Sequence, residues 1–284
     1  MTTVRMAVAE AAQALDAAGV PSPRFDAEEL VGWLLDCPRT ELWRHDDAAV
    51  PDGYDLLVRA RASRIPLQHL TGRAHFRHLT LAVGPGVFVP RPETEDVVEH
   101  ALAMLESMHL TDAVVVDLCS GSGAIALSVA TEATSRVTGT VEVHAVEADD
   151  AAVTWLRRNC LGTGVVVHHA DMGLRSVELD GRVDLVVANP PYIPVAAVPR
   201  DPEVARHDPP RALYSGIDGL DHIRTIAATA SQLLRPGGAV VVEHADEQGR
   251  SAPAVFAQTP GWVEVEDHPD LTGRDRFVTA RRLG

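Results

Sequence analysis

From Val114 to Glu243 the chain switches repeatedly between short apolar runs and longer stretches with helical periodicity. The predicted strands are Val114 to Leu118, Val141 to Val146, Val165 to His168, Val183 to Ala188 and Ala239 to Glu243. Helices are predicted for Gly123 to Thr131, Asp149 to Cys160 and Asp218 to Leu234, the last ending at Pro236-Gly237-Gly238. Runs this apolar suit strands buried on both faces, and a helix between strands supplies the crossover that parallel pairing needs. The expected fold class is therefore α/β, a doubly wound and mostly parallel sheet. Val263 to Val265 and Arg276 to Ala280 add two late strands.

Residues 1–65 have a different texture and are expected to form a separate helical domain. Val4, Val8, Ala11 and Leu15 share one helical face, and Gly19-Val20-Pro21 closes that segment. Ser22-Pro23 has the form of a cap with a first-turn proline, followed by the stripe Ala27, Leu30, Val31 and Leu34. A third helix, Asp52 to Ser63, groups Tyr54, Leu57 and Val58. Such a bundle is either a structural cap or a docking platform. Residues 66–90 form a linker in which Ala74 to Val89 alternates, with Gly84-Pro85-Gly86 as the tight turn of a hairpin. Residues 91–284 are assigned to the catalytic domain, opening with Pro92 at the start of a helix and acidic residues in its first turn.

Bulk properties narrow the function. In a chain of 284 residues, 46% hydrophobic content supports a large core and argues against wholesale disorder. The formal charge of −15 disfavours a broad phosphate-binding surface, so no direct nucleic-acid partner is expected. The three cysteines, Cys37, Cys119 and Cys160, have neither metal-like spacing nor an even count, which points to a reducing, cytoplasmic setting. Arg5, Glu10, Gln13 and Asp16 interrupt the first helical stretch, so it lacks the apolar centre of a signal peptide, and no membrane partner is expected. His168 and His169 alternate across a strand, while His75 and His78 lack a third ligand, so no metal site is predicted.

Asp117 to Gly123 joins the first strand of the sheet to its helix, and Gly121, Gly123 and Ala126 satisfy the spacing G-x-G-x-x-G/A. Glycines there let the backbone turn sharply and approach a ligand. Glu147 ends the next strand, where a carboxylate accepts hydrogen bonds from both hydroxyls of a ribose. This pairing equally suits a dinucleotide. Asp117 is placed to hold an ammonium group or loop amides, and Asp171 lies where adenine or ribose contacts arise.

Asn189-Pro190-Pro191-Tyr192 follows the strand Val183 to Ala188. Two prolines cannot continue a strand, since each lacks an N–H and restricts the residue before it. The chain must leave the sheet at Asn189, bringing an amide, a carbonyl and an aromatic face together. That set suits a planar group carrying NH2. An amide nitrogen is a poor nucleophile because its lone pair is delocalised. Acceptors on both its N–H bonds, the Asn189 side-chain oxygen and the Pro190 carbonyl, aim that lone pair for in-line attack on a sulfonium methyl.

These residues resemble the HemK/PrmC-type release factor protein-(glutamine-N5) methyltransferases. The resemblance runs from Pro66 onward and includes Pro66 to Gly72, Phe88 to Glu95, the glycine loop, Asn189 to Tyr192, Asp218-Gly219-Leu220 and Leu271 to Arg276. It implies a seven-stranded, Rossmann-like S-adenosylmethionine-binding domain behind a small helical domain that docks the substrate. Class I peptide chain release factors are the implied partners, and the glutamine of their Gly-Gly-Gln loop the acceptor. The cofactor loop falls on Cys119, Ser120, Gly121, Ser122 and Gly123, the ribose acid on Glu147 and an adenine-side contact on Met172. Asn189 touches both donor and glutamine, Pro190, Pro191 and Tyr192 shape the acceptor slot, and Phe88 and Arg91 lie near the cofactor. Cys119-Ser120 stands where many relatives have Gly-Thr, Glu147 replaces a commoner aspartate, and Met172 an aromatic. An adenine or cytosine N-methyltransferase of DNA or RNA shares the tetrapeptide and is the alternative reading. A nonenzymatic adaptor is a third.

Overall fold

The computed structural model describes residues 2–173 and 178–284, which divide into two compact units. Unit 1 comprises residues 1–73, 83–85 and 199–207; unit 2 comprises 74–82, 86–198 and 208–284.

Unit 1 is helical, with helices Val4–Ala17, Pro23–Leu34, Tyr54–Ala62 and Leu67–Thr71. The expected stripe of Val4, Val8, Ala11 and Leu15 is buried against Ala27, Leu30, Val31, Tyr54 and Val58 in one core. Pro23 occupies the first helical turn, and the Tyr54 hydroxyl donates to the Ala27 carbonyl at 3.0 Å. A buried ionic cluster adds a remote piece of chain. Arg61, 3% exposed, donates to Asp26 at 2.6 Å, to Glu203 at 2.7 Å and to the Ile65 carbonyl at 3.1 Å. Glu203 lies on the short helix Pro202–His207 and also accepts from Arg64 at 3.0 Å.

Unit 2 begins within a hairpin of β1 (Arg73–Phe76), whose first residue closes the opening segment of unit 1, and β2 (Leu79–Ala82). Its turn is at Arg77-His78, with Arg77 at φ +50°, and Gly84-Pro85-Gly86 follows the second strand instead of joining the two. Arg77 holds this unfavourable conformation because its side chain is fixed by Glu132 at 2.7 Å and Glu99 at 2.8 Å, and its backbone N–H by Glu95 at 2.9 Å.

The main sheet contains β3 (Ala113–Leu118), β4 (Val141–Glu147), β5 (Val166–His169), β6 (Val183–Ala188), β7 (Leu234–Glu243), β8 (Trp262–Pro269) and β9 (Asp275–Arg282). Their order is β5-β4-β3-β6-β7-β9-β8, with the first five parallel and β9 antiparallel to both neighbours. This is the expected doubly wound, seven-stranded sheet. Every residue of β6 is buried, including Asp184, which accepts from the Val114 N–H at 2.8 Å and pairs with Arg235. Helices Thr94–Ser107, Ala124–Glu132, Asp150–Cys160, Asp221–Leu233 and Ser251–Gln258 accompany the sheet. Asp149 caps the third of these, accepting from Ala151 and Ala152 at 2.9 and 3.1 Å.

Besides the helix that opens at Tyr54 instead of Asp52, two others start two or more residues later than the sequence predicts. The first begins at Thr94, leaving Pro92 in the preceding turn. The other begins at Asp221, because Asp218 folds back onto the Leu220 N–H at 3.1 Å and Gly219 adopts φ +79°. Among the described residues no helix is long and apolar enough to cross a membrane, and no group of three or more His, Cys, Asp or Glu is arranged for a metal.

Candidate active site

Strand register sets out the site. Val146, Leu118, Ala188 and Val242 are partners across β4, β3, β6 and β7. One residue further along each strand, Glu147, Cys119, Asn189 and Glu243 stand side by side at the carboxyl edge of the sheet. The chain order reverses between β3 and β6, so this edge is the crevice where open α/β sheets bind ligands.

The glycine loop is tied down from several sides. Cys119, Gly121 and Gly123 have φ of +63°, +54° and +88°. At Gly123 a Cβ would meet Leu156 Cδ1 at 2.8 Å, so glycine there serves both conformation and close packing. The Glu147 carboxylate accepts from the N–H groups of Gly121 at 2.8 Å, Ala148 at 2.9 Å and Asp149 at 2.8 Å. The acid assigned to a ribose thus also braces the loop. Ser120 Oγ donates to the Asp117 carbonyl at 2.9 Å, and Asn159 Nδ2 donates to the carbonyls of Ser122 at 2.9 Å and Ala82 at 3.0 Å.

Asp117 is 1% exposed and accepts from the Ala126 N–H through Oδ2 at 3.1 Å, while its Oδ1 is buried without a hydrogen-bond partner. Burial pushes its carboxyl up to about 8. An orphaned carboxylate oxygen beside a glycine turn fits the ammonium group of an amino-acid-like cofactor. Cys119 Sγ lies 3.8 Å from Met172 Sδ, and burial raises its thiol well above the usual range. Met172 also packs on the core, making an apolar wall next to the loop. Asp171 is exposed and accepts from the Gly173 N–H at 2.9 Å. Phe88 and Arg91 meet each other, with the guanidinium carbon 5.1 Å from the ring centre. Arg91 also pairs with Asp208 at 2.8 Å, and its charge acts on Tyr192.

Asn189 is half-buried, and its Nδ2 donates to Thr94 Oγ1 at 3.1 Å. Thr94 in turn donates to Glu243 Oε2 at 2.7 Å, and the Tyr192 hydroxyl donates to Glu243 Oε1 at 3.3 Å. Burial lifts the Glu243 carboxyl to about 7, against the opposing pull of Thr94, Arg276 and Tyr192. Burial, and then the Glu243 charge, push the Tyr192 phenol above its usual range. Arg276 is held on Asp270 by contacts of 3.1 and 3.0 Å. The backbone after the prolines is pinned too: Gln248 Nε2 donates to the Tyr192 carbonyl at 3.1 Å, and Ile193 N–H to the Leu213 carbonyl at 2.8 Å. Pro190 and Pro191 are both buried.

Gly219 packs directly against this segment. A Cβ there would sit 2.3 Å from the Tyr192 carbonyl oxygen, and φ is +79°. Gly219→Ala is therefore expected to shift Tyr192 and to cost ~1–3 kcal/mol. Thermal unfolding reads the cost, and a loss of turnover larger than any loss of donor affinity reads the displacement.

Thr94, Glu243, Gln248 and Asn159 were not among the predicted site residues. Thr94 belongs to the Arg91 to Glu95 motif and Arg276 to the Gly273 to Arg276 motif, so these stretches converge on the Asn189 side of the site. Glu243 carried a signal of its own: a carboxylate ending an otherwise apolar strand.

Comparison with known proteins agrees with this geometry. The family profile described as PrmC N-terminal domain matches residues 6–72, and one described as conserved hypothetical protein 95 matches residues 68–205. The chain is 52% identical to a release factor glutamine methyltransferase of Streptomyces coelicolor, over 97% of this chain and 96% of that one. It is 48% identical to a protein of the same name from Mycolicibacterium smegmatis, over 100% and 99%. A methyltransferase structure from Pyrococcus furiosus shares the fold at a TM-score of 0.51 and 17% identity, covering 79% of this chain and 98% of that one. With glycine loop, edge acids and Asn-Pro-Pro-Tyr segment assembled on this sheet, and near-complete alignment to such relatives, the chain belongs to the release factor glutamine methyltransferase family.

Proposed function

We propose that the protein methylates the side-chain amide nitrogen, N5, of the glutamine in the Gly-Gly-Gln loop of class I peptide chain release factors, in the cytoplasm. S-adenosylmethionine is the cofactor and supplies an electrophilic methyl group on a sulfonium. The observation that carries the reading is the Asn189 carboxamide, braced through Thr94 and level with the glycine loop at the carboxyl edge of the sheet. Asn189 Oδ1 and the Pro190 carbonyl accept the two N–H bonds of the acceptor amide, Tyr192 packs against its plane, and Pro191 stiffens the turn. Asp117 holds the ammonium end of the donor, Glu147 its ribose, and Met172 and Asp171 its adenine side, with Cys119 to Gly123 forming the cradle.

Residues 1–65 dock the release factor, residues 66–90 link, and residues 91–284 carry the reaction. No direct nucleic-acid contact is part of this scheme, in line with the charge of −15. Incubation of the protein with labelled S-adenosylmethionine and a purified release factor is expected to place one label on the Gly-Gly-Gln peptide. Changing that glutamine to alanine should abolish it; equal labelling of the altered factor, or efficient labelling of DNA or RNA, would overturn the assignment.

A further inference from the structure

We propose that Glu243 is a positioning residue that dictates, through Thr94, which end of the Asn189 carboxamide faces the acceptor. The proposal rests on the methyl-acceptor role given to Asn189 above. Its physical content is a proton count. A threonine hydroxyl has one proton and two lone pairs, and an ionised carboxylate only accepts. At 2.7 Å the Thr94 proton is committed to Glu243 Oε2, so Thr94 can offer Asn189 only a lone pair, at 3.1 Å. Only the NH2 end of a carboxamide can use it. Oδ1 is thereby turned away from Thr94 and left as the acceptor a glutamine N–H requires. The Tyr192 proton is committed in the same way to Oε1, so one buried charge fixes the polarity of groups on both sides of the double proline.

A neutral group at position 243 removes the constraint. It can donate to Thr94, whose proton is then free to point at Asn189. The amide can rotate by half a turn with almost no change of shape and present NH2 to the NH2 of the acceptor, two donors face to face. The groups around Glu243 oppose that outcome. Thr94 and Tyr192 donate to it, and the Arg276 charge favours its ionised form, against burial and the like charge of Glu93. The next residue, His244, engages Asp267 at 2.8 Å. Leaving a carboxylate at 1% exposure costs stability, and its two hydrogen-bond partners are the Thr94 that holds Asn189 and the Tyr192 of the same segment.

The test combines Glu243→Gln, Thr94→Val and Thr94→Ser with turnover on a release factor and side-chain amide NMR of Asn189. E243Q and T94V are expected to lower kcat about 10- to 100-fold, the size of one misdirected buried hydrogen bond, with KM and donor affinity little changed. T94S should recover most of what T94V loses. At saturating donor, which sets aside Asp117, wild-type kcat should fall as pH drops through the Glu243 value of about 7, and E243Q should lack that acid limb. The Asn189 amide signals should shift with the same midpoint in wild type and not in E243Q, a readout that needs no acceptor. Wild-type kcat in E243Q, an unchanged acid limb, a pH-independent Asn189 signal, or T94S as impaired as T94V would each overturn the relay. Absence of turnover by the wild-type protein, with the NMR midpoint present, would fall on the acceptor assignment and leave the relay standing.

Discussion

Asn189→Ala is expected to lower kcat by roughly 10²–10³ while donor affinity stays within about threefold, as when one preorganised hydrogen-bonding group is removed from a reaction centre. The side chain makes one described contact, through Nδ2 to Thr94, and its removal leaves the glycine loop untouched. The loop's own ties run to Glu147 at the end of β4, to Asn159 on the helix that follows it and to the Asp117 carbonyl of β3. With the roles proposed above, donor binding and turnover are expected to depend on separable sets of residues. Asn189→Asp is a sharper probe, because it keeps the shape and the outward oxygen but gives Thr94 an acceptor where it now receives a donor. Equilibrium binding of the donor, measured beside single-turnover methyl transfer, separates the two quantities. Equal losses in both would mean that Asn189 holds the cofactor and not the acceptor.

Arg61→Ala should have the largest effect on stability, about 3–5 kcal/mol, because it strips the central cation from a buried cluster, leaving Asp26 uncompensated and Glu203 with Arg64 alone. Burial already pushes the Asp26 carboxyl above its ordinary value, and Arg61 is the group opposing that push most strongly. Without Arg61 the folded state favours the protonated acid still more. The deficit should then be small at low pH, where Asp26 is protonated folded or unfolded, and should grow as pH rises past the ordinary carboxylate range. Denaturant unfolding at pH 5 and pH 8, followed by a probe in the N-terminal helices, gives the comparison. Replacing Arg61, Asp26 and Glu203 together by apolar residues should restore much of the loss. A variant equally stable at both pH values would show that the cluster carries no net electrostatic weight.

The sheet was legible because its strands are short, its central strands β3 and β6 are almost wholly apolar and helical stretches separate them, and the glycine loop because tight turns at fixed spacing have few solutions. Asn189 was legible for the same local reason: two prolines leave a strand one way out. What escaped was non-local. Thr94 and Glu243 are separated by 149 positions, and only the strand register brings them to the same edge. Gly84-Pro85-Gly86 is a strong local turn signal, yet it lies beyond the hairpin. The structure instead bends at Arg77, paid for by three acids scattered between positions 95 and 132. The start of the helix at Asp221 was missed for a similar reason, since Asp218 satisfies the backbone before the helix begins.

The Arg61 cluster also bears on how the chain matures. Its partner Glu203 follows it by 142 positions, so on a ribosome the N-terminal helices emerge on the order of ten seconds before that carboxylate is synthesised. During that interval the guanidinium has Asp26 alone as its anionic neighbour in the cluster. The ionic cluster of the helical unit is therefore completed only by residues translated late. A truncated polypeptide ending near residue 73 would lack the acid that completes it.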